Sequence, residues 1–364
     1  MSGIFGMNIK MTIYGESHGK SIGVVLDGLP PGLALDEAEI AREMARRAPG
    51  RSSLATARKE KDAVAIQSGF FNGFTTGTPL CALIANGDQH SKDYSLLKDN
   101  MRPGHADYAG FVRYQGYNDY RGGGHFSGRL TAPLVFAGAV AKQALAACGI
   151  SVGAHILRIK DVAEKAFNPL GEAKELFSAL SRKTFPVIDD AAGEKMQQCI
   201  LAAKGALDSV GGVIEVMATG IPAGLGAPYF DSVESCLGHA LFSVPAVKAI
   251  EFGSGFAFAG MTGSEANDEL HYEDGSVRAY TNHNGGITGG ITNAMPILFK
   301  VAVKPTPSIS RPQRTVNVAE HKDTVLTVTG RHDPCIVPRA VPVVEAVTAW
   351  VIWDLLLEAK KWVK

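Results

Sequence analysis

The sequence predicts a mixed α and β core built from two pseudo-duplicated halves, and three observations predict it. GVVLDGLPPGLALDEAEIAREM, from Gly23, resembles VIEVMATGIPAGLGAPYFDSVESCLGHAL, from Val213. Each reads as a strand, a G-[LI]-P-[PA]-G-L turn and a helix. After each comes a similar pair of stretches, VAIQSGFFNGFTTGT from Val64 and KAIEFGSGFAFAGMTGS from Lys248. Two copies are too few for a solenoid, so they read as halves of one domain over 1–364, about 10–150 and 205–300, with ligands expected where the halves meet. Third, glycine reaches 41 of 364 residues, about 11% against a typical ~7%, with no G-X-Y period. The glycines cluster, as they do where backbone turns tightly or approaches a ligand.

The elements follow in order. Ile22–Leu26 is a β-branched run ended by Asp27-Gly28, a strand and turn. Asp36 with Glu39 forms an N-cap and capping-box pair, and Ile40 and Met44 lie one turn apart in the helix that follows. Arg46 and Arg47 close it, where cations suit a helix C-terminus. Val64–Gln67 and Pro79–Ile84 are strands; Asn100–Arg129 reads as loop. Thr131–Cys148 is a helix with Pro133 in its first turn and Gly149 past its end, rich enough in Ala and Gly to pack closely on a neighbour. The more polar 160–200 stretch reads as an insertion or mobile excursion. Gly193–Leu207 carries Met196, Ile200 and Leu207 on one stripe, Ile297–Val303 is a strand, and a last apolar helix from Val343 bears Trp350 and Trp353.

Composition excludes several classes. Lys and Arg number 36 and Asp and Glu number 36, so the chain lacks the basic excess of a nucleic-acid coat. The N-terminus lacks a signal-like apolar stretch, and the run Ala132–Ala141 is about half the ~20 residues a membrane helix needs. Five widely spaced cysteines read as reduced thiols, with no C-x-x-C or Cys/His metal set. A cytoplasmic enzyme without a metal is the expectation.

Six clusters carry candidate chemistry. Gly15-Glu16-Ser17-His18-Gly19 places a histidine between glycines, either bonding the turn or moving protons. Arg102-Pro103-Gly104-His105-Ala106-Asp107 reads as a salt-bridged turn or as a phosphate-facing cation beside a tunable histidine. The Gly122-Gly123-Gly124 run, flanked by Arg121 and Arg129, feeds the Thr131 helix as an anion cradle would; it is neither a Walker A loop nor a dinucleotide fingerprint. Asn284 to Asn293 repeats a double glycine, fitting a bulged turn or close contact with a ligand. Lys304-Pro305-Thr306-Pro307-Ser308 joins a cation and two hydroxyls on a stiff loop. In Arg331-His332-Asp333-Pro334-Cys335, Asp333 reads as a helix cap or a catalytic carboxylate. Together these are a kit for binding more than one phosphorylated ligand and moving protons between them.

GESHGKSIGVVLDGLP, RPGHADY, the triple-glycine loop, NGGITGGIT, KPTPS and GRHDPC occur in the order and near the spacing of the chorismate synthases, which the chain resembles from Thr12 to about Leu356. The resemblance implies an α+β fold, a β-α-β sandwich of two similar halves, usually a homotetramer. It implies anti-1,4-elimination of phosphate from 5-enolpyruvylshikimate 3-phosphate, requiring reduced FMN (FMNH2) from an external, NADP-linked flavin reductase. It implies His18 as proton donor to the departing phosphate, His105 beside the flavin, Asp333 in removal of the ring proton, and Ser17 and Ser127 in support. Arg47, Arg102, Arg129 and Arg331 match substrate-binding positions. His125, Phe126, Ser127, Ala246, Gly289, Lys304, Pro305, Thr306, Pro307, Ser308 and Arg331 fall on flavin-contacting segments.

Against that pattern, His125 stands for an arginine, Phe126 for a serine and Leu130 for a glutamate. Ser53 stands where arginine is common, with Arg51 or Arg58 as its replacement, and Pro245 where asparagine is common. These departures predict an altered flavin grip. They also open the alternative of a catalytically altered flavin- or phosphometabolite-binding paralogue.

Overall fold

The computed structural model describes residues 3–50, 62–87, 96–328 and 332–360. The chain opens with β1 (Ile4–Phe5), β2 (Lys10–Gly15) and β3 (Ser21–Asp27), then α1 (Glu37–Arg47). Next come β4 (Val64–Ser68), the hairpin β5 (Phe70–Phe71) and β6 (Phe74–Thr75), and β7 (Leu80–Ala85). α2 (Asp107–Arg113) and α3 (Thr131–Ala146) precede β8 (Ser151–Ile159), β9 (Val162–Ala163), α4 (Lys174–Arg182) and α5 (Asp190–Gly205). β10 (Gly212–Thr219), α6 (Val233–Phe242) and β11 (Val247–Phe252) follow, then α7 (Gly263–Ala266) and the hairpins β12 (Leu270–Glu273) with β13 (Ser276–Ala279) and β14 (Ile287–Thr288) with β15 (Ile291–Thr292). β16 (Ile297–Val303), the hairpin β17 (Gln313–Asn317) with β18 (Lys322–Leu326), and α8 (Val337–Ala359) complete the chain.

Two antiparallel five-stranded sheets, ordered β1-β2-β3-β7-β4 and β11-β16-β10-β8-β9, enclose a helical layer in an α+β sandwich. The segments matched in sequence hold matched places. β3–β7–β4 in one sheet corresponds to β10–β16–β11 in the other, and α1 and α6 both pack on α8. α3 and α8 form the centre of the layer, where a Cβ on Gly138 would fall 2.2 Å from the Ala346 Cβ, so the small residue permits the close crossing. Trp350 and Phe136 are buried there.

Several local expectations change. α2 lies inside the stretch read as loop; its apolar Tyr108 and Val112 are exposed, so no buried stripe betrayed it. Asp36 caps α1 by accepting from Ala38 and Glu39, but its own N–H donates to Gln143 while Glu39 pairs with Arg42, so the capping box is not closed. Leu207 lies past α5, 57% exposed at φ 58°, and leaves the stripe of Met196 and Ile200. The 160–200 stretch carries α4 and α5, with Phe177 and Leu180 buried. A clamp ties it to the sheet: His155 sits 2.5 Å from Glu164 and 2.9 Å from Glu215. α8 begins at Val337 because proline is tolerated in a helix's first turn, and Pro342 inside gives up one backbone bond. It is also the one described helix long and apolar enough to cross a membrane, and 89% of that window is buried in the fold.

Candidate active site

The cavity lies between the halves, with a volume of about 810 Å³. The first half brings the ends of α1 and the glycine-rich loop; the second brings the end of α6, the Lys304 loop and the residues before α8. Its lining includes the apolar Leu134, Val244, Val343 and Trp350 and the polar Arg47, Arg102, His105, Arg129, Lys248, Lys304 and Asp333.

The glycine run serves the histidines. Gly122 and Gly123 hold φ of 59° and 81°, which side chains rarely adopt. A Cβ on Gly122 would lie 2.2 Å from the His18 ring and 2.8 Å from Ser17 Oγ. One on Gly123 would lie 3.1 Å from the His105 ring. Consecutive residues of one loop therefore press on His18 and His105, and a side chain at Gly122 would displace His18. His18 and Ser17 are buried just behind the cavity wall that Gly122 forms.

His105 Nδ1 lies 2.6 Å from Asp107 Oδ1 and 3.1 Å from Arg102 Nη2. A carboxylate only accepts, so the shorter contact puts the proton on Nδ1 and leaves Nε2 as the exchanging nitrogen. Arg102 binds Asp107 through Nε at 2.7 Å and Nη2 at 2.8 Å and donates to Ser308 Oγ at 3.1 Å. Burial pushes Asp107 up, but the bonds from Arg102 and His105 outweigh it and hold the carboxyl well below its usual range. The salt-bridged turn and the cavity-facing cation are thus one arrangement.

Arg46 and Arg47 part company. Arg46 turns into the core and joins Glu43, Glu345 and Lys142 across α1, α3 and α8. Arg47 faces the cavity, held by Asp62 Oδ2 at 2.7 Å, Thr131 Oγ1 at 3.1 Å and the Gly128 carbonyl at 2.9 Å. Arg129 pairs with the same Asp62 and donates from Nε to Asn86 Oδ1 at 3.1 Å. Asn86 Nδ2 in turn donates to the carbonyls of Glu16 and Gly19, at 3.0 and 2.9 Å, tying the His18 turn to Arg129.

Asp333 makes no cap for α8; it accepts from Arg339 Nη1 at 2.6 Å on the cavity wall. Lys304 donates to the Gly104 carbonyl, and burial together with the charge of Lys248 lowers its pKa. Thr306 Oγ1 is buried without a partner, and Thr306, Pro307 and Ser308 line the same wall; Pro305 does not. Ala246 lines the cavity at φ 74°, a left-handed conformation rare outside glycine. His125 Nδ1 donates to the Gly15 carbonyl at 2.8 Å, Phe126 leans on Tyr114 at 6.1 Å between ring centroids, and Ser127 caps the turn at Arg129. With Leu130, all three residues line the cavity.

Gly289 is not brought there: it is exposed on the β14–β15 hairpin, away from the lining residues. Arg331, Ser53, Arg51 and Arg58 lie outside the described residues. Sequence reasoning missed Asp62, Asn86, Lys248 and Arg339. Each stands one or a few residues from a strand or helix end, a position that marks many residues besides these. Among the described residues no group of His, Cys, Asp or Glu is disposed to hold a metal.

The family model described as chorismate synthase matches residues 9–357. The chorismate synthase of Methanocella arvoryzae is 49% identical over 97% of this chain and 94% of its own length. That of Pyrococcus abyssi is 48% identical over 98% of both chains. A solved structure titled as the crystal structure of chorismate synthase superposes with a TM-score of 0.77 at 29% identity, covering 98% of this chain and 93% of its own.

Proposed function

The chain belongs to the chorismate synthase family, and from that premise we propose how its residues carry out that lyase reaction, elimination of phosphate from 5-enolpyruvylshikimate 3-phosphate to chorismate. The observation that carries the reading is a single cavity that gathers four arginines, two lysines, His105 and Asp333 together with apolar side chains.

Phosphate departs with growing negative charge, and fixed cations in a site shielded from water stabilise that charge most as it develops. Arg47, Arg102 and Arg129 are rigidly held and fit this role. His18, seated behind Gly122, donates a proton on the phosphate side with Ser17 in support. His105 exchanges a proton at Nε2 while Asp107 orients its ring, and Ser127 fixes the turn that carries Arg129. Asp333, held by Arg339, accepts the ring proton. Arg331 completes the substrate set in this reading.

The cavity fits a flavin. The unpartnered Thr306 hydroxyl, the lysine pair and Ser308 suit a phosphate-bearing ligand, and the apolar side chains suit a flat ring system. His125, Phe126, Ser127, Ala246, Lys304, Thr306, Pro307 and Ser308 would hold it, with Pro305, Gly289 and Arg331 assigned by resemblance. Bound as reduced FMN, it supplies electron density for the elimination. We read the flavin reductase as an external protein, as the family resemblance implies. A homotetramer is supported by exposed aromatics such as Phe230, Phe256 and Tyr272. A cytoplasmic location is supported by cysteines that are all unpaired. The matched strand orders support one domain with pseudo-repeats over about 10–150 and 205–300.

A second reading, a catalytically altered paralogue, rests on His125, Phe126 and Leu130 in the cavity wall. The two separate in an anaerobic assay with dithionite-reduced FMN and substrate, following chorismate absorbance and released phosphate. Turnover that disappears with oxidised FMN is expected; tight FMN binding without turnover would favour the paralogue.

A further inference from the structure

Asp62 lies outside the cavity lining, yet it touches two cations that form it. Its side chain is 0% exposed and shared between Arg47, 2.7 Å away, and Arg129. Both guanidinium groups are almost fully buried and line the cavity, so they stand between the carboxylate and whatever the cavity holds. Arg47 has already placed three of its N–H groups on Asp62, Thr131 and Gly128, out of the five a guanidinium carries. Arginine does not lose its charge, so among the described residues Asp62 is shared by two fixed positive charges. Burial pushes Asp62 up, but Arg47 and Arg129 outweigh it and keep it ionised.

We propose that Asp62 is a positioning residue that limits how tightly Arg47 and Arg129 hold phosphate. The carboxylate fixes both guanidinium groups in place before a ligand arrives, and it competes with the phosphate for their charge. In a reaction that releases inorganic phosphate, two unbalanced buried arginines would retain the product. The carboxylate behind them offsets part of their positive charge, leaving enough to receive a phosphate and little enough to let it go. The proposal rests on the reading of Arg47 and Arg129 as phosphate-binding.

The sign of one substitution separates this from a merely structural role. Asp62→Asn keeps the size and removes the charge. A structural role predicts weaker phosphate binding as the arginines loosen; charge competition predicts tighter binding. Inorganic phosphate is titrated against wild type, Asp62→Asn, Asp62→Glu and Arg129→Gln, reading the rise in melting temperature and the inhibition of chorismate formation. In Asp62→Asn the apparent phosphate constant should fall about tenfold, as expected for removing one close charge pair, with kcat reduced. Asp62→Glu, which keeps the charge, should behave as wild type. A constant that is unchanged or raised in Asp62→Asn, or lowered equally in Asp62→Glu, overturns the proposal. If Asp62→Asn is recovered only by refolding with phosphate, that dependence is itself the tightened hold; recovery indifferent to phosphate, with no added protection, overturns it. Arg129→Gln serves as the separate control: if it is protected by phosphate as well as wild type is, the reading of the arginines falls rather than that of Asp62.

Discussion

α1 and α6 end at the same cavity from opposite halves, in segments that align residue for residue. Arg46-Arg47-Ala48-Pro49-Gly50 runs out of the end of the first helix as Phe242-Ser243-Val244-Pro245-Ala246 runs out of the end of the second. Both turns pass through a left-handed residue after proline, Gly50 at φ 84° and Ala246 at φ 74°. The backbone device is the same; the side chains are not. The first end delivers a buried ion network and a cavity-facing guanidinium, whereas the second delivers Phe242, Ser243 and Val244 to the same cavity. A repeated frame can thus place two equivalent ends at one cavity, leaving side-chain divergence to make one end charged and the other neutral.

The comparison breaks most visibly at His18 and His105, which lie in the first half against its glycine loop. His105→Ala should lower chorismate formation about 10²- to 10⁴-fold, the range of lost acid–base catalysis, with the melting curve little changed. Gly122→Ala should do similar damage indirectly, since its Cβ would meet the His18 ring at 2.2 Å. Retained activity in either would remove the loop's assigned purpose.

Next in size is the ion network beneath α1. Glu345→Ala removes one of the two buried carboxylates that Arg46 and Lys142 share and should cost about 3–5 kcal/mol, read by urea denaturation. A loss within that of an ordinary surface pair would show the network to be ornamental to the first half. Its pH signature follows from Glu43, whose burial is outweighed by Lys142 and Arg46, lowering its pKa to about 2. Its stabilisation should be complete above the unfolded carboxyl pKa, about 4.3, and decline as pH falls toward about 2. Glu43→Gln should flatten that acid slope in stability.

The smallest effect tests the shared turn. Gly50→Ala should destabilise by about 1–2 kcal/mol, while Ala246→Gly should leave stability level or raise it by up to about 1 kcal/mol. A Gly50→Ala variant as stable as wild type, or an Ala246→Gly variant that is destabilised, would mean that the two turns are not under the same backbone constraint.

Much of the frame was readable because it is periodic. The β-branched run before Asp27-Gly28, the strand Ile297–Val303 and the capped start of α1 emerged where hydrophobic spacing and turn chemistry placed them. α2 was not, because its apolar residues face outward. In the site, the motifs flagged His18, His105 and Lys304 by their glycine and proline neighbours. Asp62 and Asn86 carry no such flag: their roles arise from contacts across 15, 67 and 70 residues of chain, which spacing cannot display. Arg46 and Arg47 show the same limit, since adjacent identical residues point to opposite sides of one helix end.

The most direct test sets the two helix ends side by side. Chorismate formation is measured anaerobically with reduced FMN for wild type, Arg47→Ala and Ser243→Ala. The account predicts a loss of about 10²- to 10³-fold in Arg47→Ala, as for removal of a preorganised charge-stabilising donor, and a Ser243→Ala rate near that of wild type. Comparable losses at both ends, or a loss at Ser243 alone, would contradict the assignment of the charged helix end to α1 rather than α6.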